Sequence, residues 1–199
     1  MVRNGTSNNI GAALARVVRW LSAYFLVPNS RSGLKRNCRN QQLFAFLVLG
    51  HERRRLLWFA VTRNPTAEWL ARQITEAFPW DSAPKYLIRD NDRAFGVAFK
   101  ARIRAMGIRD RPTSYRSPWQ NGYVERLIGS VRRECTDHLI VLNAEHLRRT
   151  LAKYATYYND GRTHISLGKD APCRRPIERF GNIVAYPILA GLHHRYARI

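Results

Sequence analysis

Two carboxylates stand where side chains could do chemistry, Asp90 and Glu125. Asp90 follows the apolar stretch Tyr86-Leu-Ile88 and opens the polar turn Asp90-Asn-Asp-Arg93, just past the C-terminal end of a predicted strand. Active groups of α/β sheets gather at such strand ends. The plain alternative is an Asx-rich turn, which Asn91 and Asp92 would also form. A calcium loop is excluded, because the sixth position, where glycine is needed, is Phe95. Glu125 lies in the first turn of a predicted helix, after Ser117-Pro-Trp-Gln-Asn-Gly122. Its plain alternative is to complement the positive end of the helix dipole. A helical wheel gathers Glu125, Gly129, Arg132 and Arg133 on one polar face, away from the stripe Val124, Leu127, Ile128, Val131 and Cys135. A glycine inside a helix costs up to about 1 kcal/mol relative to alanine. Here it would leave clearance for a phosphate backbone one turn beyond the carboxylate.

A carboxylate flanked by clearance and two guanidiniums suits phosphoryl transfer on a nucleic acid. In that chemistry two hard cations about 3.5–4 Å apart clamp the attacking and leaving oxygens. Magnesium takes oxygen ligands and keeps several waters, so two or three carboxylates suffice to hold it. Those carboxylates must converge from different elements, which a strand end and a helix start can do.

The elements that would position them are readable from Leu43 onward. Leu43-Phe-Ala-Phe-Leu-Val-Leu49, ended by Gly50, reads as a buried strand, and Leu56 to Val61 as a second strand completing a hairpin. Asn64-Pro65-Thr66 opens a helix with Trp69, Leu70, Ile74 and Phe78 at helical spacing. Tyr86 to Ile88 is a third strand, Phe95 to Met106 a helix ended by Gly107, and Ile108 to Thr113 a short strand. The loop Ser114 to Gly122 precedes a helix over Val124–Cys135, and Ala144 to Tyr158 forms another. From Gly161 the tail reads as loop, with Pro172, Pro176 and Pro187. This order predicts an α/β layer structure with a mixed sheet.

Three segments then resemble, in order and spacing, the catalytic core of the DDE integrases and insertion-sequence transposases. Asp90-Asn-Asp-Arg-Ala-Phe95 is similar to the motif around that group's second acidic residue. Ser117-Pro-Trp-Gln-Asn-Gly-Tyr-Val-Glu-Arg126 is similar to its active-site loop and third acidic residue, with 34 residues between Asp90 and Glu125. Tyr157-Tyr-Asn-Asp-Gly-Arg-Thr-His-Ile-Ser-Leu167, followed by Pro172, resembles its closing motif. The resemblance covers roughly Leu43 to Pro176. It implies a ribonuclease-H-like α/β fold, a mixed five-stranded sheet flanked by helices. It also implies Mg2+ or Mn2+ in a two-metal site held by Asp90 and Glu125 as catalytic and metal-binding residues. DNA would be the partner, contacted by Trp119, Asn121, Arg126, Arg132 and Arg133, with a homo-oligomer assembled on paired DNA ends. Trp119 is placed to stack on an extruded base, or else packs or stands exposed. His164 in the closing motif suits a structural hydrogen bond better than catalysis.

The chain departs from that pattern upstream. The first acidic residue of such cores sits on a first strand, yet no Asp or Glu precedes Glu52. The best local match to that strand is Ala23-Tyr-Phe-Leu-Val27, where Ala23 stands in place of the expected aspartate. Ala12 to Leu26 would alternatively form one helix. Either residues 1–42 are truncated or out-of-frame sequence, or the first strand has diverged in a decayed copy. Both readings predict an incomplete metal site and weak or absent activity, with Asp92 a poor substitute ligand. The domain division expected is an atypical basic segment over 1–42, a core over 43–178 and a tail over 179–199. His193-His194 falls in that tail as a flexible element, and Arg53-Arg54-Arg55 reads as a turn facing solvent or DNA.

Composition agrees with a polyanion as partner. The 199 residues carry 34 Lys and Arg against 14 Asp and Glu, a net charge of +20. Three widely spaced cysteines (Cys38, Cys135, Cys173) offer no C-x-x-C pair, which argues against a zinc knuckle or disulfide framework and for a reducing cytoplasm. The nucleoid would be the location in a bacterium. No apolar run reaches 18 residues, so no membrane span is expected; with DNA as the implied partner, no small-molecule substrate is expected. The alternative function is a non-catalytic basic DNA-binding remnant able to modulate an intact transposase. An RNA-binding role leaves the order of the motifs unexplained.

Overall fold

Leu43–Gly50 is apolar at nearly every position, and a strand with that pattern must be covered on both faces. The computed structural model, which describes residues 17–25 (backbone only), 43–79 and 82–199, satisfies it with a five-stranded sheet. The strands are β1 (Val17–Phe25), β2 (Leu43–Gly50), β3 (Leu56–Thr62), β4 (Tyr86–Arg89) and β5 (Arg109–Pro112), in the order β3-β2-β1-β4-β5. β1, β2 and β3 run antiparallel in a meander, and β1–β4–β5 are parallel. The expected hairpin is β2–β3.

The helices are α1 (Ala67–Ala77), α2 (Val97–Ala105), α3 (Gly122–Glu134) and α4 (Ala144–Thr156). Thr66 caps α1, its hydroxyl accepting from the Trp69 amide, and Asn143 caps α4 through the His146 amide. α1 is clipped to β3 by the Trp58 indole donating to Gln73, and Trp69 meets Phe46 edge to face. α3 lies against β1 and α4 against β3. Val48, Ile74, Leu87, Phe99, Val124, Val131 and Leu147 are sealed in one core. Among the described residues no helix is long and apolar enough to cross a membrane.

Three expectations need correction. The first strand spans Val17–Phe25 rather than Ala23–Val27, and these residues do not form the helix that Ala12–Leu26 would allow. Val17, Val18, Trp20, Tyr24 and Phe25 are good strand formers, and the slot between β2 and β4 needs a strand to satisfy backbone groups on both sides. Ala12–Arg16 and Leu26–Gln42 lie outside the described residues.

The tail is not loop throughout. β6 (Ile183–Ile188) and β7 (His193–Arg198) pair antiparallel in a separate hairpin. His193 is not flexible: its Nε2 donates to the Glu134 carbonyl at 2.6 Å and its ring stacks on Tyr157 at 4.4 Å.

Arg53 is not a solvent-facing turn residue either. It donates to Asp170 Oδ2 at 2.6 Å and to the carbonyls of Ala171 and Pro172, tying the β2–β3 turn to the end of the closing motif.

Candidate active site

β4 carries Asp90 out of the sheet, and the residue before it fixes the main chain there. Arg89 is 2% exposed. Its guanidinium forms a two-pronged ion pair with Asp110, beside β4 on β5, at 2.9 and 2.7 Å. It also donates to the Asp90 carbonyl at 3.0 Å and lies over the Phe95 ring at 4.5 Å. A buried arginine that kept no such partners would be costly. Here every contact holds the strand end in one conformation. Sequence reasoning missed this pair, although an arginine inside an otherwise apolar strand, opposite an aspartate on the next, was its signal.

Asp90 itself is half-buried. Its carboxylate accepts from Asn121 Nδ2 at 2.7 Å. Burial raises its pKa above the usual carboxylate range, the Asn121 bond opposes that, and Asp92 adds to it. Asp92 serves the turn, accepting from the Ala94 amide at 2.7 Å.

Glu125 comes from the first turn of α3 and is exposed at its tip. Its pKa is raised by partial burial and then by the Asp90 charge, with Arg132 pulling the other way. The Asp90 charge therefore reaches Glu125 across the gap between strand end and helix start.

The remaining predicted residues divide. Arg126, Arg132 and Arg133 are exposed along α3, and Trp119, in the turn Pro118–Asn121, is 73% exposed. The clearance expected at Gly129 is occupied by its neighbour: a Cβ built there would lie 3.0 Å from an Arg133 guanidinium nitrogen, the mobile end of a long side chain. Asn121 does not face a nucleic acid. It is fully buried, because its amide is turned inward onto Asp90.

The closing motif builds a polar cluster behind α3. Arg162 grips Glu134, the last residue of α3, at 2.8 and 2.6 Å, and the Tyr154 hydroxyl from α4 donates to the same carboxylate at 2.9 Å. Asn159 bonds both backbone groups of Leu56, tying the turn Tyr157–Gly161 to β3. His164 is buried, and an Arg162 N–H donates to its Nδ1 at 3.3 Å, which fixes the neutral ring with its proton on Nε2. The expectation that His164 is structural agrees with this position.

Burial, then the charges of Arg162 and Arg54, push the His164 pKa down to about 4 from 6.5. Between those values the unfolded chain binds a proton that the folded chain refuses, so stability falls as pH drops. Unfolding by urea at pH 7 and pH 5 is expected to show about 2 kcal/mol of loss from this group. His164→Gln should flatten that limb, and an unchanged limb would show that another group governs it.

The donor chemistry fits a hard divalent cation in part. Burial raises the pKa of both carboxylates, Asp92 adds to Asp90 and the Asp90 charge adds to Glu125, a local negative charge that a cation would offset. Among the described residues no cluster of three or more Asp, Glu, His or Cys forms.

Sheet order, strand-end acid and helix-start acid together belong to a ribonuclease-H-like fold. Residues 106–172 match the family model of the integrase core domain, a stretch that includes Glu125 and the closing motif. The fold is similar to the HTLV-2 integrase catalytic core domain in complex with magnesium. In the trimeric form the identity is 13%, covering 78% of this chain and 92% of that one, with a TM-score of 0.57. In the dimeric form the identity is 12%, covering 80% and 94%, with a TM-score of 0.58. It is also similar to a chain of the simian T-cell lymphotropic virus intasome in complex with the PP2A regulatory subunit B56 gamma, at 14% identity and a TM-score of 0.58. There the match covers 92% of this chain and 66% of that one. At such identities the likeness establishes the fold. No curated protein matches the chain. The integrase core match supports a function of the DNA integration or transposition type.

Proposed function

We propose that the chain is the core of a DDE-type polynucleotidyl transferase, built for metal-assisted DNA strand cleavage and transfer and impaired by the loss of its first carboxylate. The observation that carries this reading is the approach of Glu125, at a helix start, to Asp90, at a strand end, close enough for the Asp90 charge to raise the Glu125 pKa. Asp90 and Glu125 would hold Mg2+ or Mn2+, which when bound activates and stabilises oxygens at a phosphodiester. Arg126, Arg132 and Arg133 supply forks for flanking phosphates, and Trp119 offers a ring for an unpaired base. On this reading the core expected over 43–178 also takes in β1 (Val17–Phe25) as its central strand, the C-terminal hairpin is an appendage, and copies assemble on paired DNA ends.

Mn2+-dependent nicking of supercoiled plasmid tests the reading. The chain as it stands is expected to be silent or nearly so. Nicking that Glu125→Gln abolishes would mean that another group completes the site.

A second reading, a non-catalytic DNA-binding remnant, is favoured by the +20 charge with only two converging carboxylates among the described residues. Both readings require phosphate contacts. If Arg126, Arg132 and Arg133 each neutralise one phosphate, the slope of log affinity against log salt is about −2.7 from these three alone. Arg132→Ala is expected to lower that slope by about 0.9 in fluorescence-anisotropy titrations with duplex DNA. An unchanged slope would remove Arg132 from the interface.

A further inference from the structure

Asn121 occupies the N-cap position of α3, where a side-chain oxygen ordinarily accepts from the helix's own free amides. It makes no such cap. Its side chain reaches instead across 31 residues of sequence to Asp90, bonding Oδ1 at 2.7 Å, and it is fully buried while doing so. Because the carboxylate can only accept, the amide nitrogen must face it. Asp90 is thus held at two points, its carbonyl by Arg89 at 3.0 Å and its Oδ1 by Asn121. Asn121 is four residues before Glu125, about 6 Å of helix rise. A bond that fixes Asn121 on Asp90 therefore fixes where Glu125 stands relative to Asp90.

We propose that Asn121 is a positioning residue: its amide latches the start of α3 onto the end of β4 and sets the separation of the two carboxylates before any metal arrives. This rests on the reading of Asp90 and Glu125 as metal ligands. The latch itself is a property of the folded chain and can be tested without metal. Asn121 would act through Asp90, spending its cap to keep one carboxylate oxygen occupied and the other oriented.

The experiment combines two readouts on the full chain. Amide hydrogen exchange at Arg126–Ile128 reports how firmly the start of α3 is held. Asn121→Ala and Asp90→Ala should each speed it about tenfold, and the double variant should be no faster than either single one. Additive effects, or no effect, would overturn the latch.

Free Mn2+ measured by electron paramagnetic resonance gives the second readout. Asn121→Ala should weaken Mn2+ binding about tenfold in the parent and not at all in the Asp90→Asn background. Coupled exchange with Mn2+ binding indifferent to Asp90→Asn and Glu125→Gln would keep the latch and sink the metal reading. Should Asn121→Ala fail to fold, Asn121→Asp keeps the shape and replaces the donor by a like charge. It must then loosen α3, and unchanged exchange in it would equally overturn the proposal.

Discussion

A carboxylate restored on β1 is expected to turn a silent chain into one that nicks supercoiled plasmid in Mn2+. The pairing of β1 with β4 says where. Val17 lies opposite Tyr86, Val18 opposite Leu87 and Arg19 opposite Ile88. Counting on along the two parallel strands brings Leu21 level with Asp90, and Ala23 two positions further. The motif resemblance points to Ala23, while the register points to Leu21, so both Leu21→Asp and Ala23→Asp are made. A carboxylate that completes a clamp around two cations lowers the barrier by several kcal/mol, so the better of the two should exceed the parent by at least about 100-fold. Adding Glu125→Gln should return that variant to silence. Gain at Leu21 alone supports the register, and gain at Ala23 alone would mean that β1 sits two residues out of step with β4. If both stay silent while folded and bound to DNA, the transferase reading gives way to the DNA-binding remnant.

Much of the frame was legible because it is locally coded. The continuous apolar run Leu43–Leu49, the Thr66 cap and the helical stripe of α3 each carry their own signal. β1 was not so coded. Its residues fit a helical stripe as well as a strand, and only pairing with both β2 and β4 decides between them. The β6–β7 hairpin escaped because Pro187 interrupts it and its turn holds Leu189 and Ala190 at positive φ (52° and 56°), where Asn-Gly would have announced it. In the site, Asp90 and Glu125 were visible as motif positions. Asn121 was legible as a motif residue and not as a buried one, since its neighbours in sequence are loop formers and its partner lies 31 residues away.

The same logic explains the conspicuous polar residues of the closing motif, which touch no reacting group, and it yields the largest expected effect on stability. α3 is held at its start by Asn121 and at its end by Glu134, on which Arg162, Tyr154 and the α3–β7 contact through His193 converge. Burial alone would raise the Glu134 pKa. The Arg162 bonds and charge, with the Tyr154 hydroxyl, more than offset it and hold the acid below its usual range. Glu134 and Arg162 are each only 23% exposed, so removing the guanidinium leaves a largely dehydrated carboxylate with a single hydroxyl donor. Arg162→Met is therefore expected to cost about 3 kcal/mol at pH 7 by urea unfolding. The sign with pH is fixed by the lowered pKa. The pair's contribution is fully present above the unfolded value of 4.5 and is lost as pH falls through the folded value. The gap between parent and Arg162→Met should accordingly narrow in acid, where protonation relieves the orphaned Glu134. Adding Glu134→Gln to Arg162→Met should recover part of the loss at pH 7. A cost below about 1 kcal/mol would place the pair among ordinary surface ion pairs, and the far end of the helix that carries Glu125 would then be anchored by the apolar contacts of Val131 and Cys135 and by the His193 and Tyr154 bonds to Glu134.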